Sequence, residues 1–84
     1  MNYHRLSENS YGPAGLCIDS NGNIFVADAG NNRIRMVTPS GVVTTVTGDT
    51  SPEFFYPSGV SIDSQGILHV MDTYNYRIRK IVLD

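Results

Sequence analysis

Cys17 is the only cysteine in the chain, and tryptophan is absent. A lone thiol excludes an intrachain disulfide. With His4 and His69 as the only histidines, it also excludes a four-ligand Cys/His zinc site within one copy. Charge of one sign is lacking too. Six basic and eight acidic residues leave a formal net charge of −2, which argues against broad charge-driven binding to nucleic acid or anionic lipid. No apolar run approaches the roughly 20 residues of a helical bilayer span. The first residues lack the apolar core of a secretion signal, and no membrane partner is expected. Helix start and stop signals are missing throughout. At 84 residues the chain hides only about 60–65% of its unfolded surface, so stability must come from close packing or from another chain.

What the sequence does have is a repeat. Shifted by 44 residues against itself, the chain matches in one register without a gap. Pro13 falls on Pro57, Gly15 on Gly59, and Ile18-Asp19-Ser20 on Ile62-Asp63-Ser64. Gly22 meets Gly66, Val26 meets Val70, Asp28 meets Asp72 and Asn31 meets Asn75. Arg33-Ile34-Arg35 meets Arg77-Ile78-Arg79. The matches include prolines, glycines and turn aspartates, the residues that fix backbone geometry. Within one unit, residues 16–19, 24–28, 33–38 and 42–47 read as four short strands, divided by turns at residues 20–23, 29–32 and 39–41. The second strand, Ile24-Phe25-Val26-Ala27, is apolar on both faces and needs cover on both. Four short antiparallel strands recurring at 40–45 residues describe a propeller blade.

The run Pro-x-Gly, Ile-Asp-x-x-Gly, Val-x-Asp-x-x-Asn-x-Arg-Ile resembles the NHL repeat. The first unit carries it on Pro13, Gly15, Asp19, Gly22, Asn23, Val26, Ala27, Asp28, Asn31, Asn32, Arg33 and Ile34. Residues 41–48 resemble the family's fourth strand. The second unit departs at Met71 and Tyr76. The resemblance implies an all-β fold of two four-stranded antiparallel blades, part of a roughly six-bladed propeller. Residues 11–54 form the first blade. Residues 55–84 form the second, which lacks a fourth strand of its own. Residues 1–10 are an N-terminal segment in which residues 2–6 are suited to pair as a closing strand. Two blades cannot close a ring, so completion is expected from further copies, a homotrimer giving six blades, or from the rest of a longer propeller.

Repeated residues are expected to build the blade. Asp28 and Asp72 are read as capping turn N–H groups or pairing with Arg33 and Arg77 in preference to binding calcium. Asp19 and Asp63 are read as hairpin-turn residues. Cys17 is read as a small buried apolar residue and His69, in place of Phe25, as a core or channel-side histidine. Departures from the repeat carry the functional expectation. Tyr74 and Tyr76 replace Gly30 and Asn32, and Phe54-Phe55 lie in the connection between blades. With Asn31, Asn32, Arg33 and Arg77 they make a candidate surface for a protein or peptide ligand at the loop end. Arg33, Arg35, Arg77, Arg79 and Lys80 make an alternative, a basic band for single-stranded RNA. A further alternative is a fragment of a metal-dependent propeller lyase or hydrolase. No nucleophile–base pair or paired acid and base stands out. The expectation is therefore a non-enzymatic binding scaffold without a cofactor.

Overall fold

A computed structural model describes residues 13–46 and 56–83. Residues 1–10, the boundary between residues 54 and 55, and Phe54 and Phe55 lie outside the described residues. Two antiparallel sheets follow one another along the chain. The first has the order β1-β2-β3-β4, with β1 Gly15–Ile18, β2 Ile24–Asp28, β3 Arg33–Val37 and β4 Val43–Thr45. The second has the order β5-β6-β7, with β5 Pro57–Ile62, β6 Ile67–Asp72 and β7 Arg77–Val82. The strands fall within two residues of their expected positions. The turn after the second strand is more ordered than expected. In both units it is a single 3-10 turn, Ala29–Asn31 and Thr73–Asn75, closed by a left-handed residue, Asn32 or Tyr76.

Each first hairpin is closed by an aspartate and a glycine. Oδ1 of Asp19 accepts the backbone N–H groups of Asn21 and Asn23, both at 2.9 Å. Asp63 does the same for Gln65 at 2.8 Å and Ile67 at 3.1 Å. Gly22 and Gly66 take φ of 85° and 80°, a region closed to most side chains. These contacts bear out the turn reading of the two aspartates.

Strand alternation assigns each sheet two faces. On the front of the first sheet lie Cys17, Phe25, Ala27, Ile34 and Met36, aligned across the register pairs. On the back of the second lie Val60, Ile62, Leu68, Val70 and Ile81. These two faces meet. Phe25, Ala27, Ile34, Leu68 and Val70 form the buried core, with Cys17, Met36, Val60, Ile62 and Ile81 packed against it. Each large side chain buried there contributes roughly 1.5–3 kcal/mol. The sheets are thus stacked front to back, as successive blades are. Burial also raises the thiol pKa of Cys17, with the Asp19 carboxylate adding to the rise, which suits the apolar role expected of it.

Candidate functional site

The loop end of the molecule is built by the two 3-10 turns and by the chain entering β5. Asn32 is left-handed, with φ 54°, a conformation that asparagine tolerates better than most residues. It turns its amide toward the second unit, where Oδ1 accepts the backbone N–H of Tyr56 at 2.8 Å. Tyr56 is itself left-handed, at φ 57°, and its ring stacks on Tyr74, centroids 5.0 Å apart and planes 17° from parallel. Beneath them the hydroxyls of Ser58 and Thr73 are hydrogen-bonded. Asn32, Tyr56 and Tyr74 therefore form one connected patch. Tyr76 stands two residues beyond it, at φ 55° and 94% exposed. It rims a cavity of about 290 Å³ whose other walls include Met71, Thr73, Arg77 and Ile78.

Two of the expected site residues, Asn31 and Arg77, are engaged by buried aspartates. Asn31 donates its side-chain amide to Oδ2 of Asp28 at 3.3 Å, and Asn75 does so to Asp72 at 2.8 Å. Both aspartates are fully buried. Arg77 reaches Oδ2 of Asp72 at 3.5 Å, and Arg79 reaches it at 3.8 Å. Such pairing is what permits a carboxylate to be buried at all. Two details differ from expectation. Neither aspartate caps its 3-10 turn through the side chain; in each, Oδ2 is met by the asparagine amide and by arginine. Asp28 is also approached by Arg35, at 4.0 Å, rather than by Arg33. Arg33 Nε donates instead to the carbonyl of Asn31 at 3.4 Å and stays exposed.

His69 departs from the core position of Phe25. It lies on the front of the second sheet, partly exposed, with Nε2 2.9 Å from Oδ2 of Asp63. That contact, followed by the turn N–H of Ile67, holds the Asp63 carboxyl down to about 2. In the first unit the corresponding carboxylate, Asp19, is lowered chiefly by the side-chain amide of Asn23, 3.0 Å away. At the position of Asn23 the second unit has Ile67, which cannot donate from its side chain, and the imidazole of His69, two residues farther along β6, takes over. At the other end of the molecule a cavity of about 410 Å³ lies between the sheets, lined by Phe25, Met36, Thr44, Val46 and Leu83 among others. Among the described residues no three His, Cys, Asp or Glu side chains come together as a metal site.

Sequence reasoning missed Tyr56. The signal was available in the 44-residue register, where Tyr56 takes the place of Gly12 as Tyr74 takes that of Gly30.

No curated protein sequence matches the chain. Among solved structures, it is similar to selenomethionine-substituted virginiamycin B lyase from Staphylococcus aureus, with a TM-score of 0.63 and 18% identity. The likeness covers 86% of this chain, which spans only 27% of the lyase chain. At that identity the likeness speaks for the fold alone, and the fold is that of β-propeller blades. A family model, the NHL repeat, matches residues 11–35, where the sequence motif is densest. Two stacked antiparallel sheets and a 44-residue register give this chain the fold of β-propeller blades, and its residues 11–35 match the NHL repeat.

Proposed function

We propose that the chain is a non-enzymatic propeller module that binds a protein or peptide through the tyrosine-bearing loop end, and that it assembles with further copies, three giving a six-bladed ring. The observation that carries the binding reading is the backbone at Tyr56 and Tyr76. Both are left-handed at φ near 55°, which costs an L-residue roughly 1–2 kcal/mol. A blade does not need tyrosine there, since the corresponding residues of the first unit are Gly12 and Asn32. Strain held at Tyr76, which is 94% exposed, points to use of the ring. Tyrosines also supply large amphipathic contact area at low entropic cost, which suits a protein surface.

The ring reading is supported by the front of the second sheet. Ile78 is 72% exposed, whereas its counterpart Ile34 is fully buried under the next sheet. With Met71 and Tyr76, Ile78 makes an exposed apolar cluster beside His69 and Lys80, and exposed apolar clusters mark association faces. The single-stranded RNA reading has less support. Arg35, Arg77 and Arg79 each approach a buried carboxylate, which takes them out of a band that would contact phosphates.

Selection of a displayed random peptide library on the 84-residue chain tests the binding reading. Peptides recovered on the native chain should bind at least about tenfold more weakly to a Tyr74→Ala, Tyr76→Ala double variant. Equal affinity for both proteins would remove the tyrosine end as the binding face.

A further inference from the structure

The first sheet reveals what a front face accepts. Residues 56–59 of the second unit lie across it. The Tyr56 N–H is bonded to Asn32, and Pro57 is fully buried. A Cβ built on Gly15 would stand 3.4 Å from the Ser58 carbonyl oxygen and 3.5 Å from the Gly59 Cα. Ala27 and Ile34 are sealed beneath this contact. On the second sheet the same three positions are Tyr76, Met71 and Ile78, and all are exposed. They line the cavity of about 290 Å³. The chain also carries the matching insert. Pro13 and Ala14, counterparts of Pro57 and Ser58, are exposed. Behind them Leu16 is 61% and Ile18 57% exposed, whereas their counterparts Val60 and Ile62 pack into the core.

From this we infer that the front of the second sheet is a seat for a second copy of this chain, and that the strip of residues 13–18 of that copy occupies it. The inference rests on the ring reading above and adds to it the contact that builds the ring. Val26 and Val37, on the same back face as the strip, are already buried, so the surface offered is the β1 strip itself. The contact is not a replica of the internal one. Tyr76 has no amide carbonyl with which to accept the N–H that Asn32 accepts from Tyr56. Met71 folds its side chain over Gly59, so that a Cβ there would meet Sδ at 3.2 Å. Met71 and Tyr76 replace a hydrogen bond and a small residue with apolar area, and flexible methionine is suited to filling an imperfect fit. Because a front meets a back, the interface is heterologous, and it closes into a ring or runs on.

The experiment uses the whole 84-residue chain. Light scattering at micromolar concentration should give a mass above the 9.2 kDa of one chain, and three times that value for the ring. Ile78→Glu spoils the seat, and Leu16→Glu spoils the strip. Each should weaken self-association by at least about tenfold. Mixed in equal amounts, the two variants retain one intact seat and one intact strip between them, and a heterodimer should form. Both positions are exposed, and far-UV circular dichroism checks that each variant keeps the native sheet signal. Ile78→Ser and Leu16→Ser test the same contacts with milder changes. A monomeric native chain overturns both the ring and the seat. An oligomeric native chain whose mass survives the substitutions at Ile78 and Leu16 overturns the seat alone. So does the absence of a heterodimer when the two variants, each dissociated, are mixed.

Discussion

The backbone N–H of Tyr56 donates to Oδ1 of Asn32 across 2.8 Å, tying the entry to the second unit to a turn 24 residues earlier. Two properties of Asn32 meet in this contact: its tolerance of the left-handed region and its amide acceptor. They separate by substitution. Asn32→Gly keeps the backbone and loses the acceptor, so it should cost about 0.5–1.5 kcal/mol. Asn32→Ala loses both and should cost about a further 1 kcal/mol. Urea unfolding of the two variants checks the order. Equal losses would mean that the backbone conformation contributes nothing.

Tyr76 occupies the same backbone position without the acceptor, and almost all of its surface is in water. In the dissociated chain, replacing it removes strain and little else. Tyr76→Asn should raise the unfolding free energy by about 0.5–1 kcal/mol. The same substitution should weaken the peptide binding proposed for the tyrosine end. A gain in stability with a loss in binding is the pattern of a site held at a cost to the fold. Thermal unfolding and a peptide titration on the same protein sample read both.

Asp63 and His69 give the second unit an acid-sensitive contact. The Asp63 carboxyl, ordinarily at 3.8, is held down to about 2, first by the His69 hydrogen bond and then by turn N–H groups. A carboxyl more acidic in the folded state than in the unfolded contributes stability that is complete above about pH 4 and disappears as the pH falls toward about 2. His69→Phe installs the residue that the first unit uses at this place. It should flatten the loss of melting temperature between about pH 4 and pH 2 relative to the native chain. Identical slopes would mean that the backbone N–H groups alone hold the carboxylate.

Much of the fold was legible because the blade is a local object. Strand limits follow from alternation, and Pro, Gly and Asp fix the hairpins within a few residues of where they stand. The 44-residue register then placed equivalent residues together without any knowledge of packing. What it could not supply were contacts made between units. The stack of Tyr56 on Tyr74 and the bond from Tyr56 to Asn32 depend on how two sheets lie against each other. The exchange of Asn23 for His69 as the donor to a turn aspartate also had to be seen in space, because the two donors stand two positions apart in the repeat. The pairing of Asp28 with Arg35 in place of Arg33 has the same origin. The carboxylate is buried on the back face of β2, and the guanidinium two residues farther along β3 reaches it.

Ile34 and Ile78 are the same residue at the same place in the repeat, and they differ only in what covers them. Ile34 is fully buried in the core between the sheets, and Ile78 is 72% exposed. Their alanine variants therefore separate the chemistry of the side chain from its burial. Ile34→Ala removes packed apolar volume and should destabilise the chain by about 2–5 kcal/mol. That is a large share of what a domain of this size can hold. Ile78→Ala should change the stability of the isolated chain by less than about 0.5 kcal/mol, measured by urea unfolding at sub-micromolar concentration. At higher concentration the two should respond differently again. Association contributes to apparent stability by mass action, so the cost of Ile78→Ala should grow with protein concentration if a second copy covers that face. A cost that stays small and constant across a hundredfold range of concentration would leave Ile78 as a solvent-facing residue and would count against a covered front face on the second sheet.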